Sequence, residues 1–304
     1  MSGTLEWGGP RRLLLLLLTV SALAVLVAWQ GTLLKLTEFH RADAIVSPAN
    51  GVFRLADYRA AVQALSIPGI GNDLSGISYV PEHDQLLAIT NAGPVQLVAL
   101  DRQGSLLGRY PLIGFEDPED LAWLGDGLVL IIEERVQRLN IVRLPEQFGP
   151  ITRDNARQLT LGVALSNDNK GFEGVAYDAQ RDLLYVVKER DPQQLYRIGG
   201  LRPTLAGDLQ LDIHDLTNWV SAAGVSRDLS AITVHAPSGH LLLLSDESQL
   251  LFELGADGQL LDRRSLRAGN GLQEGIPQPE GVVVAKSGEL FVVSEPNLFY
   301  RFVR

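Results

Sequence analysis

One acidic motif recurs five times along this chain, each time at the same point of a repeating β unit. The copies are Leu74-Ser-Gly-Ile-Ser-Tyr-Val80, Pro118-Glu-Asp-Leu-Ala-Trp-Leu124, Phe172-Glu-Gly-Val-Ala-Tyr-Asp178, Leu229-Ser-Ala-Ile-Thr-Val-His235 and Pro279-Glu-Gly-Val-Val-Val-Ala285. Aligned on Ile77, Leu121, Val175, Ile232 and Val282, they lie 44, 54, 57 and 50 residues apart. A drifting period of about 40–55 residues with several short strands per unit is the pattern of a β-propeller. A propeller gathers equivalent residues of every blade around one axis, and here those residues are largely carboxylates.

The units read as four-stranded meanders. In the first, apolar runs at 77–80, 86–90, 96–100 and 105–112 are separated by turn formers such as Pro81-Glu-His-Asp84 and Asp101-Arg-Gln-Gly104. The fourth unit copies this closely. The last unit ends after three strands, while the strand-like segment 62–67 precedes the first motif and has no unit of its own. Placing that segment as the outer strand of the last unit joins the two ends of the chain. The expectation is an all-β, five-bladed propeller closed by an N-terminal strand.

Just before the first strand of each unit, the aligned residues are Ser75, Glu119, Glu173, Ser230 and Glu280. Where the residue is serine, an aspartate lies two positions earlier, Asp73 or Asp228. At the end of the second strand the aligned residues are Asn91, Glu134, Glu189, Asp246 and Glu295. In an antiparallel pair these two points share an edge, so both sets should emerge on one face, the first lining the channel mouth. Two like charges 4 Å apart repel by about 4 kcal/mol at an effective dielectric near 20. Protons, guanidinium groups or a bound cation can relieve that. Oxygen ligands alone suit calcium, whereas zinc prefers His or Cys. Acidic residues next to turns can also simply be solvated, and Lys188 and Arg190 flank Glu189 closely enough to neutralise it.

The chain is 304 residues long, carries a net charge of −10 and has no cysteine. Disulfides, thiolate metal sites and cysteine nucleophiles are therefore excluded. No basic stripe suits nucleic acid. At the N-terminus, Arg11-Arg12 precede an uncharged run of 17 residues from Leu13 to Trp29, which Gln30 to Leu34 extend by five. That can cross a hydrocarbon core of ~30 Å as a helix. The basic pair places the N-terminus in the cytoplasm. The apolar run continues past the small-residue site at Ala22-Leu23-Ala24, which favours an uncleaved anchor over a cleaved signal peptide. The expected organisation is a cytoplasmic 1–12, a transmembrane anchor at 13–34, a stalk at 35–57 and a propeller at 58–304. This makes it a single-pass protein of a bacterial inner membrane with its body in the periplasm.

The other motifs carry less. Asn167-Asp-Asn-Lys-Gly171 lacks the closing glutamate of a calcium loop and reads as a polar loop. His83 and His240 fall in hairpin turns and should be exposed, while His214 and His235 read as structural. Trp123, Trp219, Tyr79 and Tyr177 follow strand periodicity and should pack between blades.

Leu74-Ser-Gly-Ile77, Phe172-Glu-Gly-Val-Ala-Tyr177, Lys188-Glu189, Leu244-Ser-Asp-Glu-Ser248, Pro279-Glu-Gly-Val282 and Val293-Ser-Glu-Pro-Asn297, followed by Phe299-Tyr-Arg-Phe302, resemble the SdiA-regulated (YjiK-like) family of bacterial envelope proteins. Ala231 stands where that family usually has glycine. The resemblance covers about 58–304. It implies a five-bladed propeller, distantly like NHL-repeat propellers, with calcium in a shared acidic site, and it implies no established activity. Two functional readings follow. The first is a membrane-anchored module whose calcium-bearing face, built from Glu119, Glu173, Glu280, Glu134, Glu189, Asp246 and Glu295, engages an envelope ligand or protein. The second is a metal-dependent hydrolase of phosphoesters or lactones, with Glu173 or Glu280 as base. A third, in which the cation only clamps the ring, stays open beside them.

Overall fold

The computed structural model describes residues 53–134, 138–161 and 171–304. They form five antiparallel sheets in sequence order around one axis. The first blade contains Leu74–Val80, Gln85–Thr90, Gln96–Leu100 and Leu106–Ile113, and the short strand Ile151–Thr152 adds to its outer edge in parallel. The second contains Pro118–Gly125, Leu128–Glu133, Arg138–Arg143 and Arg157–Thr160. The third contains Phe172–Asp178, Leu183–Lys188, Gln194–Gly199 and Asp212–Asp215. The fourth contains Ala231–His235, His240–Ser245, Leu250–Leu254 and Leu260–Ser265. Every motif of the repeat opens an innermost strand, and each innermost strand packs beside those of the two neighbouring blades.

The last blade closes the ring. Its own strands Pro279–Val284, Leu290–Ser294 and Leu298–Val303 are completed by Arg59–Ser66, which pairs with Leu298–Val303 in the register Arg59↔Val303 to Ser66↔Leu298. Two bulges interrupt that pairing. The expected closure by 62–67 is therefore present, extended at its start to Arg59.

Second strands such as Leu128–Glu133 and Leu183–Lys188 are almost wholly buried, because a blade is covered on both faces by its neighbours. Five hydrophobic clusters result, one between each pair of adjacent blades. Tyr79, Trp123 and Tyr177 pack into these clusters from their strands, as expected. Trp219 also packs between blades, but from the helix Thr217–Ala223 and not from a strand. That helix and Leu201–Ala206 occupy the long connections on either side of the third blade's outer strand.

Packing begins before the expected boundary at 58. Phe53 and Leu55 are 2% and 0% exposed. The Phe53 amide donates to Glu253 Oε2 at 3.0 Å, and its ring meets that of His235 edge-on at 4.4 Å. Arg264 donates to the carbonyls of Leu55 and Tyr58, 2.8 Å each. Arg304 covers the rings of Phe53 and Tyr58. Residues 53–58 thus latch onto the fourth and fifth blades ahead of the closing strand. His240, expected to be exposed, instead places Nδ1 2.7 Å from the fully buried Glu253 carboxylate. A buried carboxylate needs partners, and its hairpin position lets the imidazole reach inward. Truncating the latch by Phe53→Ala is expected to cost about 3–5 kcal/mol in chemical denaturation, the usual range for a fully buried Phe.

The expected anchor at 13–34 and most of the stalk lie outside the described residues, as do 167–170 of the polar loop. Among the described residues no helix is long and apolar enough to cross a membrane.

Candidate metal centre

A backbone device brings the two acidic sets to one edge. Asp73, Asp117 and Gln278, each two residues before a first-set position, adopt φ of 67°, 53° and 34°. Aspartate tolerates this left-handed conformation better than most side chains. The turn aims the carbonyls of these residues at the amides of Asn91, Glu134 and Glu295, each accepted at 3.1 Å. First-set and second-set side chains are thereby held next to each other in three blades. In the fourth blade the side chain does this work instead. The buried Asp228 carboxylate accepts from the Asp246 amide at 3.1 Å, from the Glu247 amide and from the Ser245 hydroxyl. Asp228 is therefore a turn cap.

The result is a polar basin of about 240 Å³ at the channel mouth. Its lining includes Glu119, Glu173, Glu189, Asp246, Glu280 and Glu295, six of the seven residues expected from the repeat. The seventh, Glu134, lies beside the basin, where oxygens of Asp117, Glu119 and Glu134 are all within 4.8 Å of one another. Calcium binds oxygen at about 2.3–2.6 Å, so ligands on opposite sides of one ion stand roughly that far apart. Among the described residues no other three acidic or histidine side chains meet this closely. Asp117 was not among the expected ligands. Its signal was present, because it occupies the same position as Asp73 and Asp228, two before the motif residue.

Partners differ sharply across the basin. Glu119 is clamped by the first blade, accepting from Ser75 Oγ at 2.7 Å and from Asn91 Nδ2 at 3.1 Å. Two of the three uncharged members of the sets, Ser75 and Asn91, thus support the adjacent carboxylate. Arg190 pairs with Glu189 at 3.1 Å and also with Glu247, so guanidinium neutralisation operates on that side. Lys188 does not share in it. Its side chain is fully buried, and Nζ donates to the carbonyls of Arg190 and Asp191 at 2.9 and 3.3 Å, capping the turn from inside. Glu173 and Glu280 accept no hydrogen bond from any described residue, and no described cation pairs with them.

The electrostatics follow. Burial pushes the Glu280 carboxyl up to about 9, with Asp246, Glu295 and Glu119 adding repulsion. Burial raises Glu119 to about 7, opposed by the Ser75 hydrogen bond and reinforced by Asp117 and Glu134. Glu173 is raised well above the usual range by burial and then by Glu119, Glu134, Glu189 and Glu280. Asp246 and Glu295 rise for the same reason, burial first and neighbouring carboxylates second.

Below the basin the five inner strands nearly touch. A Cβ on Gly174 would meet the Ile232 nitrogen at 2.9 Å, and one on Gly281 would meet the Ile77 nitrogen at 3.0 Å. Ala231 fills the equivalent place in the fourth blade and is 1% exposed. The second blade has Asp120 there, lying against Gly76 and accepting from the amides of Leu121 and Val175 at 2.8 Å each. This explains both the repeated glycine and why one aspartate is accepted, because its carboxylate takes up strand amides that would otherwise face the axis.

The SdiA-regulated family model matches residues 51–303. The chain belongs to the SdiA-regulated family. Among solved structures, a luciferin-regenerating enzyme aligns over 80% of this chain and 95% of its own, with TM-score 0.51 and 13% identity. A nidogen/laminin complex aligns over 74% and 73%, with TM-score 0.47 and 14% identity. A gluconolactonase from Xanthomonas campestris aligns over 80% and 90%, with TM-score 0.45 and 14% identity. At these identities the likeness is one of fold alone. The membership expected from the motifs thus stands, and with it the propeller.

Proposed function

We propose that this propeller is a calcium-dependent binding module. Asp117, Glu119 and Glu134 hold the ion, Glu173 stands beside them, and the acidic rim engages a ligand or protein partner. The observation that carries this reading is the set of three oxygens within 4.8 Å of one another, next to deep carboxylates that no described cation neutralises. A divalent ion offsets both the burial and the neighbouring charges that raise Glu119 and Glu173. Oxygen-only ligands in an irregular cluster suit calcium better than magnesium, which demands a near-ideal octahedron. The uncharged run at 13–34 supports the accompanying proposal that the module is tethered to a bacterial inner membrane and faces the periplasm.

Calorimetric titration tests the ion. Calcium is expected to bind with one strong site, magnesium more weakly. Glu119→Gln should lose most of the calcium heat, whereas Glu247→Gln, whose partner is Arg190, should keep it. Equal heats from the two variants would remove the assignment.

A metal-dependent hydrolase remains the second reading, and Glu173 favours it. An unpaired carboxylate of raised proton affinity next to a metal can act as a general base. Against it, the described residues lining the basin include no histidine, lysine or cysteine. Assays of phosphoester and lactone substrates with calcium separate the two. Turnover abolished by Glu173→Gln in a folded protein favours the enzyme, and absence of turnover with calcium bound favours the module.

A further inference from the structure

Beyond the constriction at Gly76, Asp120, Gly174, Ala231 and Gly281, the channel widens again toward the opposite face. There it forms a second cavity of about 350 Å³, lined by the inner strands of all five blades. This lies within the range of about 300–1,000 Å³ usual for small-molecule sites. Its chemistry is the reverse of the basin's. Ile77, Leu121, Val175, Ile232 and Val282 form the walls, and no carboxylate of the described residues lines it. Lys286, exposed at the rim, is its one formal charge among the described residues. Burial lowers the proton affinity of the lining His235, which keeps that imidazole neutral near pH 7.

Two hydroxyls give this apolar space its polar character. Ser78 and Thr233 occupy the same position of the first and fourth inner strands. Ser78 Oγ accepts the Trp123 amide at 2.9 Å, so its hydrogen is free to donate elsewhere. Thr233 is 6% exposed, lines the cavity, and its hydroxyl has no partner among the described residues. A hydroxyl that faces a cavity without a protein partner is free to hydrogen-bond to whatever occupies that cavity. We propose that this cavity binds a small, uncharged, mostly apolar molecule carrying one hydrogen-bonding oxygen, held by Thr233 and Ser78. The site is separate from the acidic basin and does not depend on the cation reading.

Trp123 lines the cavity and reports on it. The full-length chain is titrated with 4-bromobenzyl alcohol, and Trp123 quenching is taken as the difference between wild type and Trp123→Phe. Saturable quenching is expected. Ala176→Phe, which fills the wall, should abolish it. Thr233→Val, nearly isosteric, should weaken binding by about threefold to tenfold, the loss of one ordinary hydrogen bond. Both variants should keep the calcium-dependent melting shift of the wild type, which separates this site from the basin. Quenching that rises without saturation overturns the proposal, and so does saturable quenching unchanged in both variants. Should Ala176→Phe fail to melt cooperatively, Thr233→Val decides alone.

Discussion

Deleting residues 1–52 is expected to leave a soluble domain that unfolds cooperatively, whereas deleting residues 1–68 yields aggregated or non-cooperative material. The second truncation removes the closing strand Arg59–Ser66 and exposes Leu298–Val303 as an open edge. A free, apolar edge strand is a template for intermolecular pairing. It also removes Phe53 and Leu55, both fully buried. Core losses of this kind cost about 2–5 kcal/mol each, and a whole domain is stable by only about 5–15 kcal/mol. Strand and latch together therefore amount to much of the folding free energy. Size-exclusion chromatography and a denaturant melt of the two truncations are the check. Similar solubility and cooperativity in both would show that the ring does not depend on this closure.

The second large effect concerns pH. Without divalent cations the domain should be more stable at pH 5 than at pH 9. Glu119 and Glu280 have carboxyls raised in the folded state, to about 7 and about 9. A group with a raised folded pKa binds its proton more tightly folded than unfolded. Its stabilising contribution is fully present below the ordinary carboxylate range and is lost as pH rises through the folded value. The loss therefore runs from about pH 4.5 to about pH 9 and amounts to several kcal/mol, since each unit corresponds to about 1.4 kcal/mol. Glu280→Gln should flatten the upper half of that slope. Calcium should flatten it too, by replacing the protons. Urea melts across this pH range in chelator test the sign. A stability that rises from pH 5 to pH 9 in chelator would contradict the crowding of carboxylates.

These effects trace to features of differing legibility. Spacing and turn chemistry were enough for the five blades, because the repeat sets where each inner strand begins. Closure was legible for a related reason: one unit lacked a strand and one strand lacked a unit. The latch at Phe53 and Leu55 was not, since two apolar residues among polar ones carry no periodicity and only the folded fourth and fifth blades show what covers them. The helices Leu201–Ala206 and Thr217–Ala223 are too short to show a helical period, so Trp219 reads as a strand residue although it lies on the second of them.

In the site, alignment of blade positions foretold that Glu119, Glu173 and Glu280 would converge. It did not weigh Asp117 or Asp120, although both stand at repeat positions. Asp117 sits where Asp73 and Asp228 also sit, and Asp120 replaces a residue that elsewhere is glycine or alanine. The direction of Lys188 could not be read at all. Sequence puts it beside Glu189, but the following turn offers two carbonyls that a buried ammonium takes instead.

The most direct measurement is a set of four thermal melts, wild type and Glu173→Gln, each in chelator and in millimolar calcium. Glu173 is crowded by Glu119, Glu134, Glu189 and Glu280. Calcium at 100 times its dissociation constant should stabilise the wild type by about 2.7 kcal/mol through mass action. In Glu173→Gln the calcium shift should shrink, while the chelated protein should be as stable as the wild type or slightly more so, because a buried carboxyl crowded by other carboxylates is replaced by a neutral amide. A glutamate that merely caps a turn would behave oppositely, its loss destabilising the protein with and without calcium alike. No calcium-dependent shift in the wild type at millimolar concentration would contradict the metal centre and leave protons and Arg190 to hold the basin together.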